Sequence, residues 1–194
     1  MFYWFAYFFV NLYGTIFSPR TVIGFDHVPT KGGFLIASNH LSILDPFLIG
    51  LCFRRRISYM AKDLLFRNWL LRFMLYRVEA FPVRRDSSDI GALRETLRRL
   101  KRGFPVVVFP EGTRRTKDNQ GELQLGISFL AVKGNVPVVP VHISGSDKVL
   151  PKGAKVPRRN RVTVSFGKPQ YFSKSQSYPE IMTCIMKEIE TLSN

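Results

Sequence analysis

Two runs of consecutive apolar, largely β-branched residues, Pro105-Val-Val-Val-Phe109 and Val138-Val-Pro-Val-His-Ile143, set the strongest limit on the fold. A strand that is apolar without alternation is buried on both faces, as central strands are in a sheet covered by helices on its two sides. A loop and a helix around residues 127–133 separate the two runs. Such alternation of strand and helix predicts an α/β fold. Residues 34–38, 57–61 and 162–166 are further strand candidates, and 20–25 an earlier one, followed by a turn over 26–33 that holds Pro and Gly. At 194 residues and 45% hydrophobic content, the chain can bury one core and is too short for two. The expectation is one α/β domain over residues 20–194, with a mixed, largely parallel central sheet flanked by helices.

Asp45-Pro46 reads as a helix start with a capping carboxylate and Pro in the first turn, and Ser42 offers a cap one turn earlier. Either choice leaves His40 on the turn where strand becomes helix. Asp63 predicts the cap of a helix running to Leu75. That segment is apolar nearly all round, with Arg67, Arg72 and Arg77 interspersed, so it is either a core helix or one facing lipid with guanidinium groups reaching phosphates. Over residues 87–102, Ile90, Leu93, Leu97 and Leu100 recur at helical spacing, with Arg94, Arg98, Arg99, Lys101 and Arg102 outside and Gly103 at the end. Ser177-Tyr-Pro-Glu180 is a capping box that opens a last helix through Ile181, Ile185 and Leu192.

The first 17 residues contain no charged side chain. The run is short of the ~20 residues of a spanning helix and lacks the basic start and cleavage site of a signal peptide. Its Tyr and Trp favour the boundary between headgroups and acyl chains, so residues 1–19 are expected to be an interfacial anchor helix; packing on the protein's own core is the alternative. A formal net charge of +15 favours approach to polyanions. No helix-turn-helix, zinc-finger or aromatic RNA-binding pattern accompanies it, so an anionic membrane surface is the expected partner and no nucleic acid is expected. Cys52 and Cys184 show no metal-ligand or disulfide spacing, and Cys52 reads as a structural thiol in an apolar segment. No metal site is expected, and a reducing compartment fits best.

His40 is one of three histidines and directly follows an apolar strand, where open α/β sheets form sites. Asp45 lies five residues on, a separation that would put the two on different faces of an ideal helix. They can meet only if the chain turns between them. A carboxylate that takes the Nδ1 proton leaves Nε2 as an acceptor, which makes an oriented general base. From spacing alone, a local hydrogen bond and a helix cap are the commoner outcome. The chain has no Gly-x-Ser-x-Gly elbow, no His-Glu-x-x-His and no phosphate loop, so a base without a protein nucleophile suggests activation of a substrate hydroxyl. The segment Phe109-Pro-Glu-Gly-Thr-Arg-Arg115 carries a carboxylate, a flexible Gly, a hydroxyl and two guanidinium groups. These suit a small phosphorylated polyol, with Arg114 and Arg115 on phosphate and Glu111 accepting from a hydroxyl; a polar surface turn is the plainer reading.

Together, Asn39-His40-(four residues)-Asp45 and Phe109-Pro-Glu-Gly-Thr-Arg114 resemble the two principal signatures of the glycerolipid acyltransferases of the 1-acylglycerol-3-phosphate (lysophosphatidate) type. Ala80-Phe-Pro-Val-Arg84 is similar to that family's intermediate motif and Val136-Pro-Val-Val-Pro140 to its fourth. Lys62, Asp89, Gly145 and Phe166-Gly-Lys-Pro169 also match the pattern, which covers about residues 20–172. Arg115 stands where Ser is usual and Glu79 where Gly is frequent, and the stretch 118–126 is short and lacks the Lys common before Gly126. The resemblance implies that His40 deprotonates the lysophospholipid hydroxyl, which attacks an acyl thioester, and that Asp45 orients His40. Arg84 and Arg114 would hold the phosphate, and Glu111, Gly112 and Thr113 would position the glycerol. Backbone N–H groups at the helix start after His40 are the expected oxyanion donors. No cofactor is implied, since acyl carrier protein or coenzyme A enters as donor substrate, and the expected location is monotopic on the cytoplasmic membrane face. Glycerol 3-phosphate or an amino-acid lysolipid are alternative acceptors, and a non-catalytic basic module for membrane or nucleic acid is the rival class.

Overall fold

The computed structural model describes residues 14, 18–84, 89–112, 126–154 and 156–193. Among them, seven strands form one sheet: β1 (Arg20–Ile23), β2 (Leu35–Ser38), β3 (Ser58–Lys62), β4 (Ala80–Val83), β5 (Val106–Val108), β6 (Val138–Ser144) and β7 (Val162–Phe166). Their spatial order is β1-β7-β6-β2-β5-β3-β4. Strands β6, β2, β5, β3 and β4 run parallel. β7 is antiparallel to β6, and β1 is parallel to β7, so the last pair at one edge is reversed. The sheet is thus mixed and largely parallel, as the buried runs require.

The connections are α1 (Asp45–Gly50), α2 (Trp69–Arg77), α3 (Ile90–Lys101), α4 (Gly126–Gly134), the short α5 (Ser146–Val149) and the closing α6 (Tyr178–Thr191). One face of the sheet packs Ile36, Val107, Val139 and Val141 with Leu48 and Ile49 of α1. The other packs Leu35, Val106 and Val138 with Leu100 of α3, Ile127 and Leu130 of α4, and Ile181 and Ile185 of α6. The adjacent strand residues Leu35 and Ile36 thus belong to opposite cores, which is why the run shows no alternation.

Several boundaries differ from expectation for local reasons. β1 ends at Ile23 because Gly24 turns left-handed (φ 69°) into a 3-10 turn over Phe25–His27, and a Cβ there would lie 2.2 Å from the Phe166 carbonyl oxygen. Asp63 opens only a 3-10 turn, Asp63–Phe66; α2 is capped by Asn68, whose side chain accepts from Leu70 and Leu71 N–H. α3 starts at Ile90 with Asp89 as its cap, and the expected start at Ser87 falls outside the described residues. Ile90 is exposed, while Arg99 turns inward, donating to Ser58 Oγ, the Glu79 backbone carbonyl and the Glu79 carboxylate. β4 was not expected because Pro82 interrupts it; an edge strand tolerates the missing N–H. The capping box of α6 is present in both directions. The expected anchor over residues 1–19 lies almost wholly outside the described residues.

Glu79 adopts φ 63°, the left-handed conformation that glycine takes without strain. Its carboxylate is held by Arg56 and Arg99, each at 3.3 Å, which helps to hold an acidic residue in that conformation.

Asp89 has two duties. Its Oδ2 accepts from Arg84 N–H (2.9 Å) and its Oδ1 caps α3 through Ala92 N–H (3.0 Å). These bonds hold its carboxyl below the ordinary carboxylate range, with the Arg84 charge adding and burial opposing. A depressed carboxyl stabilises the fold above its unfolded pKa, and that contribution is lost as pH falls through its folded value. Asp89→Ala is therefore expected to cost about 1 kcal/mol at neutral pH, with the difference from wild type closing in acid. Urea melts of both proteins across that range check it.

Candidate active site

The strand β2 ends at Ser38, and the chain turns through residues 39–44 before α1. In that turn His40 Nδ1 lies 2.9 Å from Asp45 Oδ2. The same oxygen accepts the backbone N–H of Leu41 and of Ser42, both at 2.7 Å. Asp45 is the first residue of α1 and wholly buried, yet its side chain points back to the preceding turn rather than capping the helix. Asp45 therefore does not act as the expected cap and Leu44 occupies the N-cap position without a side-chain bond, while Ser42, one turn earlier, accepts the Leu44 N–H at 3.4 Å and donates to the Leu150 carbonyl at 3.0 Å. Three donors converging on one oxygen fix the carboxylate. The carboxylate in turn places the Nδ1 proton and leaves Nε2 as the acceptor nitrogen. Asp45 Oδ1 is buried without a hydrogen-bond partner among the described residues.

Two residues to which the sequence motifs gave no separate role position this pair. Asn39 makes a reciprocal pair with the backbone of Ile143, its Nδ2 donating to the carbonyl and its Oδ1 accepting from the N–H, both at 2.8 Å. It extends the junction of β2 and β6 beyond the regular ladder, so the residue before His40 is anchored in the sheet. Phe109, just past β5, stacks on the imidazole with ring centroids 4.0 Å apart and planes 20° from parallel. Asn39→Ala would leave the buried N–H and carbonyl of Ile143 unpaired, and a stability loss of about 2–3 kcal/mol is expected by denaturant titration.

β5 lies next to β2, so the turn after it comes up beside His40. Glu111 is only 2% exposed, and Gly112 takes φ 65° as its N–H bonds back to the Phe109 carbonyl at 2.9 Å. Thr113 and Arg114, with Arg115, lie outside the described residues. Arg84 sits at the end of β4, three strand spacings from β2, which is about 14 Å along the sheet. Its side chain is 70% exposed, above a cleft of about 370 Å³ lined by Asp63, Phe81, Pro82, Asp89 and Glu95. Lys62, at the end of β3, is one strand nearer to His40. A larger cleft of about 510 Å³ between α4 and the start of α6 carries none of these residues.

The expected oxyanion donors are corrected for the first two residues after His40. The Leu41 and Ser42 N–H groups that follow His40 are committed to Asp45 Oδ2, so they do not face a substrate. Cys52 is no nucleophile either: it lies just past α1, its thiol donates to the Leu48 carbonyl, and burial pushes its pKa up to about 12 against the opposing charge of Arg20.

His40, Glu111, Gly112, Lys62 and Arg84 thus all follow the carboxyl ends of parallel strands, on one rim of the sheet. A family model described as Acyltransferase matches residues 19–144, which include that whole rim. The chain is 30% identical over 145 residues to the 1-acyl-sn-glycerol-3-phosphate acyltransferase of Bacillus subtilis (strain 168), covering 74% of this chain and 70% of that one. It is 27% identical over 179 residues to the chloroplastic 1-acyl-sn-glycerol-3-phosphate acyltransferase BAT2 of Brassica napus, where it covers 88% of itself and spans about half of the relative (52%). The crystal structure of the 1-acyl-sn-glycerophosphate (LPA) acyltransferase PlsC from Thermotoga maritima superposes with a TM-score of 0.76 at 26% identity, over 98% of this chain and 81% of that one. The chain belongs to the acyltransferase family, of the 1-acyl-sn-glycerol-3-phosphate acyltransferase type.

Proposed function

We propose that the protein transfers a fatty acyl group from an acyl thioester to the free hydroxyl of 1-acyl-sn-glycerol 3-phosphate, giving phosphatidate. The observation that carries this reading is the buried His40–Asp45 pair, oriented through Nδ1, beside the turn of Phe109 to Gly112. His40 Nε2 takes the hydroxyl proton while the oxygen attacks the thioester carbonyl carbon. The C–S bond then breaks, and the proton passes from His40 to the departing thiolate. The neutral Cys52 thiol supports direct transfer without an acyl-enzyme. Arg84 and Arg114 hold the phosphate, and Glu111, Gly112 and Thr113 position the glycerol. Holding both reactants in register contributes as much as the base, because an alcohol is barely ionised near neutral pH.

The donor is an acyl thioester of acyl carrier protein or coenzyme A, and no resident cofactor takes part. The +15 charge suits both an acidic carrier protein and an anionic leaflet, and we assign the enzyme to the cytoplasmic membrane face as a monotopic protein. No helix among the described residues is long and apolar enough to cross a membrane. The test is a matrix of donors and acceptors with purified protein. Turnover is expected with lysophosphatidate, and faster acylation of glycerol 3-phosphate or an amino-acid lysolipid would sink the assignment of the acceptor.

A further inference from the structure

The crossover between β3 and β4 is built unlike the others. Leu100 of α3, Ile127 of α4 and Ile181 of α6 reach into a core, but α2 contains no buried residue. Trp69 is 78% exposed, and Leu70, Leu71, Phe73, Met74 and Tyr76 are between 44% and 51% exposed. These positions go right round the helix, which has no polar face to present to water; Arg72 and Arg77 are its only charged residues. An apolar surface of this extent on a folded chain marks something that covers it.

Position and charge identify the cover. The step from β2 to β3 and the step from β3 to β4 run the same way along the sheet, whereas β4 to β5 steps back. Right-handed crossovers therefore place α1 and α2 on one face and α3 on the other. The assignment agrees with the packing, since Leu48 and Ile49 of α1 enter one core and Leu100 of α3 the opposite one. α2 thus shares its face with the turn and helix that carry His40 and Asp45, where Ile43 and Phe47 are also exposed. Arg67, Arg72 and Arg77 are exposed among the apolar residues, and the Arg77 guanidinium lies 4.6 Å from the centre of the Phe73 ring. Apolar stems that end in guanidinium groups match acyl chains below a layer of phosphates, and Trp and Tyr favour that boundary.

We infer that α2 is a membrane-seating helix, which lays its apolar surface in an anionic phospholipid leaflet so that the His40 turn faces the layer holding its lipid acceptor. The inference rests on the proposed lysolipid acceptor only for its purpose; the surface itself stands on exposure, charge and topology.

The chain has two tryptophans, so Trp4→Phe leaves Trp69 as the sole indole in these 194 residues. With vesicles of phosphatidylcholine and phosphatidylglycerol in equal parts, Trp69 emission is expected to shift to the blue and to be quenched by brominated acyl chains, and to respond less to phosphatidylcholine alone. In the wild-type background, Trp69→Ser with Phe73→Ser is expected to lower vesicle partitioning about tenfold or more, while transfer to a short-chain, water-soluble lysophosphatidate stays unchanged. Vesicle binding with unmoved Trp69 emission would overturn the proposal. So would a dimer in light scattering whose Trp69 is already shifted without lipid, since a second copy would then be the cover. Failure to acylate the soluble acceptor, with the Trp69 shift intact, would overturn the acceptor and still support the leaflet surface.

Discussion

Replacing His40 with alanine is expected to lower acyl transfer by about 10²- to 10⁴-fold. The effect is local, because the imidazole makes a hydrogen bond to Asp45 and a stack on Phe109 and supports no element of the sheet. A small cavity beside Phe109 is expected to cost about 1–2 kcal/mol, well short of unfolding. The check is a single-turnover assay with a labelled thioester beside a thermal melt. Transfer at the wild-type rate by the alanine variant would remove His40 from the mechanism. A base role also predicts that added free imidazole restores part of the lost rate, which a purely structural role would not allow.

Asp45→Asn is the more discriminating substitution, with an expected loss of about 10²- to 10⁴-fold in turnover and little change in melting temperature. An asparagine carbonyl oxygen can still accept the N–H groups of Leu41 and Ser42, so the turn keeps its shape. The same oxygen keeps the Nδ1 proton of His40, and the NH₂ falls where Oδ1 lies without a hydrogen-bond partner among the described residues. What is lost is the negative charge, so the imidazolium formed when Nε2 takes the hydroxyl proton no longer has its buried counter-charge and His40 becomes a weaker base. Asp45→Ala differs in kind: two backbone N–H groups lose their acceptor inside the protein, and about 2–4 kcal/mol of stability is expected to go with the activity. Loss of rate in both variants, but of stability in alanine alone, is the pattern that identifies the Asp45 charge, rather than its bonds to the turn, as what makes His40 a base.

What could be read from the sequence follows the range of the interactions. The central strands were legible because burial on both faces leaves a run of Val and Ile that needs no knowledge of neighbours. His40 and Asp45 were legible because they are five residues apart and meet through one turn. The anchoring role of Asn39 was not, since its partner Ile143 lies 104 residues away. Phe109 likewise passed as the last residue of a strand, because its contact with His40 depends on β5 and β2 being neighbours. β4 was hidden by Pro82, and the start of α2 was misplaced because Asp63 and Asn68 are both acceptable caps and only the 3-10 turn between them decides. The two readings of α2, core helix or lipid-facing helix, had equal claim in an apolar segment; the absence of any buried residue in it removes the first.

The reversed edge pair has a practical consequence for handling the protein. Because β1 runs opposite to β2, Arg20 lies on the same rim of the sheet as His40, and whatever precedes Ser18 departs from there. A purification tag or fluorescent fusion joined directly before Ser18 would thus be tethered on the rim that carries His40, where its bulk competes with approaching substrate. Surface immobilisation at Ser18 would likewise orient the molecule with its chemistry toward the support. The other terminus, beyond the helix that closes the opposite core, is the better handle.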